Sequence, residues 1–340
     1  MNKTPFLDNY IKKKEFFMCT AVSFKTNNHY FGRNLDIEYS YNETVTIVPR
    51  NYKIKYIYNG EIKSRYAIIG MAYVNEGYTL FYDGANEMGL CVAALSFGSF
   101  SKYFEEKEHH TNIASFEFIP WILSNCATVC EAQKQLEQMN ITNDNYSNEL
   151  KTTPLHWIIA DGDNCIVAES TKDGLKVYDN PVGVLTNSPE FPYHLFTLNN
   201  YMGLSNEQVT NKFSSDLPLE AYSRGMGAMG LPGDLSSNSR FVKAVFTKTN
   251  CLPGNTESEN ISQFYHILAS VEQQKGCVVV DDKYEYTTYS SCINAAKGIY
   301  YYTTYQNRAI TAIDMHRENL DGEELVMYPL IKEQQILKQN

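Results

Sequence analysis

The sequence predicts an α+β protein whose sheets are largely antiparallel. Three observations carry that reading. Runs of β-branched and aromatic residues, TVTIVP (44–49), YKIKYIY (52–58) and YAIIGMAYV (66–74), crowd the first hundred residues. Helical patterns occupy the middle of the chain. Strand patterns then return near 277–281, 284–290, 298–305 and 308–315. Strand blocks on either side of a central set of helices suit two packed sheets with helices on their outer faces.

Residues 19–36 read CTAVSFKTNNHYFGRNLD: a strand opening at Cys19, a turn, and a second strand ending in Arg33-Asn34-Leu35-Asp36. Asn59-Gly60, Asp83-Gly84 and Glu87-Met88-Gly89 are turn signals that separate the strands up to LCVAALSF (90–97). Residues 115–125 form an apolar helix with Pro120 near its first turn, and Thr128 with Glu131 makes a capping box for a second helix to about Met139. The stretch 140–152, rich in Asn, Asp, Ser and Thr, reads as a loop. Strands resume over LHWIIAD (155–161), CIVAES and GLKVYD. Residues 189–230 are irregular, and a long loop of this kind is usually functional or an assembly element. Helices of about 238–249 and 260–274 follow, the second carrying Phe264, Ile267, Leu268 and Val271 at helical spacing.

Length alone allows one large domain or two smaller ones. A net charge of −10 argues against nucleic acid or an anionic membrane as partner. No segment has the length or apolarity of a membrane span or a signal-peptide core. Eight scattered cysteines without a CxxC suit buried free thiols in a reducing, cytoplasmic setting. Cys126 and Cys130 are four apart but have no further ligand nearby, and the seven histidines show no HExxH, so no metal site is expected. Twenty-six Tyr and seventeen Phe suit a strand-rich protein with an aromatic pocket.

In a chain that begins at Cys19, one residue carries both a thiol and a free α-amine. Unperturbed, these titrate near ~8.5 and ~7.7–8.0. The amine is then partly neutral at working pH and can take the thiol proton, directly or through a water. Arg33 and Asp36 return on the neighbouring strand, where they could hold the thiolate and the amine. Read from the residues alone, a buried strand cysteine is the ordinary reading of Cys19, and a strand-end turn residue that of Asp36. Asn187, before Ser-Pro, is equally a turn asparagine, and His156 in LHW a buried strand residue rather than the base of a papain-like thiol enzyme.

The 19–36 stretch resembles the start of the choloylglycine hydrolase family, the bile salt hydrolases and penicillin V acylases, which are N-terminal-nucleophile amidases. YDGANEMGLCVAALSF (82–97), LHWIIAD (155–161), GVLTNSP (183–189), GLPGDLSSNSRFVKAVF (230–246) and KYEYTTYSSC (283–292) extend the resemblance from Met18 to about Leu337. It implies a four-layer αββα sandwich as one domain over 19–340, with no cofactor. It also implies hydrolysis of the amide joining a bile acid to glycine or taurine. Cys19 is then the nucleophile, Arg33 the arginine beside its thiol, and Asp36 the carboxylate that orients the α-amine. Asn187 and the backbone N–H of Ser96 are the oxyanion donors, and Arg240 belongs to the charge network around the N-terminus.

Ser96 departs from the family, whose bile salt hydrolases carry Asn and whose penicillin acylases carry Tyr at that position. A backbone donor survives the change, but the side chain no longer separates the two substrates. Penicillin V, or another N-acyl amide such as an acyl-homoserine lactone, is thus the alternative substrate. EFIPWIL, YDNPVGVLTN and SRGMG are similar to the bile salt hydrolases of lactic-acid bacteria. Ser223-Arg224-Gly225 falls where the family has its selectivity loop, in the form that goes with glycine over taurine conjugates. Phe24, Ile37, Tyr39 and the 58–66 and 98–105 loops are the expected acyl pocket. The family implies a homotetramer, with 189–220 as the assembly loop.

Residues 1–18 do not fit this scheme and are expected to be a leader, removed by self-cleavage or, preferably, upstream of a true start at Met18. If they stay, the amine is acylated and the chain is a binding protein without catalysis.

Overall fold

The structure, a computed structural model, describes residues 17–148 and 150–340. Of the expected leader only Phe17 and Met18 fall within the described residues.

Two antiparallel sheets make the centre. The first has seven strands. Its main path runs Val184–Leu185, Met18–Lys25, His29–Ile37, Lys283–Asn294, Ile299–Thr304 and Thr311–Asp314, with Val278–Val280 paired beside the long fourth strand. The second has eight strands, in the order Gly174–Asp179, Cys165–Thr171, Leu155–Ala160, Cys91–Ser96, Tyr78–Asn86, Ile68–Asn75, Thr44–Val48 and Val326–Pro329. The Ser237–Asn250 and Glu257–Ala269 helices pack on the first sheet, and the Phe118–Asn125 helix packs on the second. The result is the four-layer αββα sandwich that the family resemblance implied.

Alternation along the strands sorts side chains between the layers. In Leu155–Ala160, Trp157 and Ile159 join the core beneath the Phe118–Asn125 helix, where Trp157 stacks on Phe118 with centroids 4.1 Å apart. Ile158 and Ala160 join the core between the sheets. Such a strand, buried on both faces, has to be apolar throughout, and it reads that way.

Several expectations are corrected. Asp83-Gly84 is not a turn but lies inside the Tyr78–Asn86 strand. A Cβ on Gly84 would sit 2.8 Å from the Ile69 carbonyl oxygen, so the glycine serves close strand approach. Asp83 is buried, accepting the Tyr300 and Tyr289 hydroxyls at 2.6 and 2.7 Å. The 140–152 stretch is not wholly loop, because Met139–Thr142 pairs parallel with Thr111–Ala114. The second C-terminal helix ends at Ala269, and Val271 is buried just beyond it. Thr128 caps its helix, its hydroxyl accepting the Glu131 N–H at 3.2 Å, but the expected box does not close: Glu131 Oε2 accepts the Ala127 N–H at 2.8 Å, and the helix ends at Leu136, short of Met139.

Candidate active site

Cys19 is the second residue of the Met18–Lys25 strand and is fully buried. Thr20 faces the Ser237–Asn250 helix, so Cys19 faces the layer between the sheets. The paired His29–Ile37 strand sets Leu35 opposite Cys19, Asp36 opposite Met18 and Arg33 opposite Ala21. Arg33 therefore shares the Cys19 face two pairs along, and its Nη2 donates to the Cys19 Sγ. Its Nη1 donates to the carbonyls of Tyr82, at 3.0 Å, and Ala94 on the facing sheet. Gly32 is required next to Arg33, since a Cβ there would lie 2.0 Å from the Ser291 carbonyl oxygen.

Asn187 follows the Val184–Leu185 strand at the sheet edge. Its Oδ1 accepts the Cys19 N–H at 2.9 Å and the Arg240 Nη2 at 2.7 Å. Its Nδ2 donates to the carbonyls of Ser96, at 3.0 Å, and Phe17, at 3.3 Å. Arg240 also donates to the Cys19 carbonyl and, at 2.7 Å, to the Thr20 hydroxyl. The backbone N–H of Ser96 is directed at the Cys19 thiol. Asp36 is buried opposite Met18. Its Oδ1 accepts the Thr287 hydroxyl at 2.6 Å, while Oδ2 has no hydrogen-bond partner among the described residues.

Burial dominates the electrostatics. It pushes the Cys19 thiol up to about 11 against the pull of Arg33. With residues preceding Cys19 in place, the thiol is protonated at neutral pH. Burial likewise raises Asp36 to about 6, opposed by Arg240. Glu285 was not legible in the sequence as part of the site. Its Oε1 accepts the Met18 N–H at 2.9 Å, and burial with nearby Asp36 raises it to about 8. Asp83 was missed too. It lies behind Arg33 and favours its charge, a role hidden by the apparent turn at Asp83-Gly84.

A cavity of about 160 Å³ adjoins this cluster, lined by Phe17, Leu35, Tyr82 and Trp157 among others. Ile37 and Tyr39 line it, as expected. Phe24 does not: five residues from Cys19 on one strand, it points to the opposite face. The 58–66 and 98–105 loops are not in its wall either; residues 115–119 and 146–155 take that place. Ser223, Arg224 and Gly225 are exposed and do not line it.

Two facing antiparallel sheets between helical layers, with a buried cysteine near the start of an inner strand, are the architecture of the N-terminal-nucleophile hydrolases. Residues 19–328 match the linear amide C–N hydrolases, choloylglycine hydrolase family, the match beginning at Cys19, and the chain belongs to that family. It is 53% identical over 319 residues to the bile salt hydrolase/transferase of Lactiplantibacillus plantarum, covering 94% of this chain and 98% of that protein. A cysteine-to-alanine mutant of the conjugated bile acid hydrolase from Clostridium perfringens superposes with a TM-score of 0.89 at 40% identity, covering 95% of this chain and 100% of that one. Penicillin V acylase from Agrobacterium tumefaciens, at 20% identity and a TM-score of 0.70, covers 91% and 90% of the two chains and shares the fold.

Proposed function

We propose that the protein hydrolyses the amide of glycine- or taurine-conjugated bile salts, with Cys19 as the first residue of the active chain. The observation that carries this reading is the convergence of Arg33, Arg240, Asn187, Asp36 and the Ser96 N–H on one buried cysteine beside an apolar cavity. Hydrolase activity is a property of the family, and the names of its relatives supply the substrate class.

In this mechanism the Cys19 α-amine takes the thiol proton and Arg33 holds the thiolate. The sulfur attacks the amide carbonyl carbon. Asn187 Nδ2 and the Ser96 N–H donate to the oxyanion, each such donor being worth about 2.7–4 kcal/mol of barrier. The α-ammonium then protonates the leaving amine, and water hydrolyses the thioester with the amine again as base. Arg240 keeps the Asn187 oxygen turned away from the oxyanion.

Loss of residues 1–18 serves each step. It creates the amine. It frees the Asn187 donor now held on the Phe17 carbonyl. It opens a cavity that, at about 160 Å³ with Phe17 in its wall, falls short of the ~300–1,000 Å³ usual for ligand pockets. The unpaired Asp36 Oδ2 opposite Met18 is a ready acceptor for the ammonium.

Homotetramer assembly through 189–220 and a cytoplasmic location complete the proposal. Exposed Phe196, Met202 and Phe213 in that segment support the first, and the eight free thiols support the second. No helix among the described residues is long and apolar enough to cross a membrane.

Intact mass before and after iodoacetamide, followed by turnover of glycocholate, taurocholate and penicillin V, tests the reading. A mass for 19–340, fast labelling lost in Cys19→Ala, and preference for a bile salt are expected. An active protein that retains residues 1–18, or a preference for penicillin V, overturns it.

A further inference from the structure

Asn187 is aimed by groups that never touch Cys19. Thr186 and Asn187 link the Val184–Leu185 strand to the short Phe191–Thr197 helix. The Thr186 carbonyl accepts from His156 Nε2 at 2.9 Å. The Asn187 N–H donates to Ser237 Oγ at 2.9 Å, and that hydroxyl donates onward to Thr186 Oγ1 at 3.0 Å. The Asn187 carbonyl accepts from His194 Nε2 at 2.8 Å. These bonds hold the peptide planes on both sides of the Asn187 Cα. They set its φ and ψ, and with them the direction in which the side chain leaves the backbone.

The anchor of this arrangement is a buried pair. His156 and Glu169 sit directly opposite each other on adjacent strands, fully buried, with Nδ1 and Oε1 3.0 Å apart. Both ring nitrogens of His156 thus face acceptors. Each buried polar group of the pair thus has a partner, as burial requires. Glu169 also accepts the Phe191 N–H at 3.0 and 3.2 Å, tying the far end of the Asn187 turn to the same carboxylate. Phe97, next to Ser96, stacks on the His156 ring with centroids 4.4 Å apart. Burial pushes His194 down to about 4, so its ring is neutral at working pH and Nε2 carries the proton it donates.

We propose that His156, fixed by Glu169, acts with Ser237 and His194 as a set of positioning residues that aim the Asn187 amide at the oxyanion. This rests on the assignment of Asn187 above. Oxyanion donors work only when pre-aligned, and displacement by about an ångström removes most of their effect.

The test is kcat and KM on glycocholate for the processed enzyme, with active sites counted by Cys19 alkylation. Asn187→Ala is expected to lower kcat about 100- to 1,000-fold. His156→Phe, which keeps the stack on Phe97, should lower kcat about 10- to 100-fold with KM within about twofold. In an Asn187→Ala background the same change should cost less than about threefold, because its effect passes through the missing amide. Glu169→Gln, whose amide can donate to Nδ1 and accept from Phe191, should keep kcat within about threefold. Ser237→Ala, at a half-buried helix start, should show the same kcat-only loss and serves if His156→Phe does not fold. Additive losses in the Asn187→Ala background, or a fall only in the count of active sites, overturn the proposal. Unchanged kcat in Asn187→Ala overturns the assignment of Asn187 itself, a separate outcome.

Discussion

Arg240 Nη2 donates to Asn187 Oδ1 at 2.7 Å, and this one bond fixes the Asn187 amide with its nitrogen end toward the carbonyls of Ser96 and Phe17. An asparagine offers an acceptor and two donors at nearly the same place. With its oxygen taken by Arg240 and the Cys19 N–H, only Nδ2 is left as the donor that the proposed mechanism needs for the oxyanion.

Arg240→Lys should therefore lower kcat rather than raise KM. A lysine is a single point donor and cannot span the Cys19 carbonyl, the Thr20 hydroxyl and Asn187 at once. A loss of about 100-fold in kcat is expected, because the buried oxygens it leaves unpaired cost about 1–3 kcal/mol each. Steady-state kinetics on glycocholate reads this. A change confined to KM would assign Arg240 to substrate binding instead.

Reaction of Cys19 with iodoacetamide should depend steeply on pH in one form of the chain and hardly at all in the other. In the chain that keeps residues 1–18, burial holds the thiol up to about 11. Labelling should be slow at pH 7 and rise about tenfold per pH unit until the thiol ionises, because only the thiolate reacts. In the chain that starts at Cys19, labelling should be fast at pH 7 and nearly flat above it. Mass spectrometry of the labelled peptide across pH 6–11 distinguishes the two.

Glu285 gives the uncleaved chain a stability that falls as pH rises. Its folded pKa of about 8 lies above the ordinary carboxyl value, so between roughly pH 4.5 and 8 the folded state binds the more protons. Asp36 acts in the same direction up to about pH 6. Glu285→Gln, which keeps an acceptor for the Met18 N–H, should raise Tm at pH 8 by on the order of 2–4 °C and change little at pH 4.5. Thermal unfolding at the two pH values checks this. A larger gain at low pH would contradict the sign.

Gly32→Ala should damage folding before it affects chemistry. The added methyl would stand 2.0 Å from the Ser291 carbonyl oxygen and 2.9 Å from the Cys292 Cα, both backbone. Overpacking against atoms that cannot rotate away costs about 1–3 kcal/mol or more. Denaturant unfolding should show a midpoint shift at least this large, with Cys19 labelling normal in whatever fraction remains folded.

By itself the sequence determined the parts of the site that one hairpin can hold. Cys19, Arg33 and Asp36 lie within eighteen residues, and strand alternation across a short turn is enough to bring them together. It also determined the strand–helix–strand order, since periodicity is a local property. The wider motif blocks pointed to Asn187, Ser96 and Arg240 through family resemblance, not through anything their neighbours in sequence require. Only the tertiary structure set the Asn187 oxygen 168 residues from the Cys19 nitrogen it accepts, and Arg240 221 residues from the carbonyl it holds. Those contacts depend on which strands pair and which helix covers them. Asp83-Gly84 was misread for the same reason: turn propensity is local, while burial against Tyr289 and Tyr300 comes from strands distant in the chain. The displaced ionisations of Cys19, Asp36 and Glu285 likewise belong to the fold, because desolvation appears only when the sheets close over these groups.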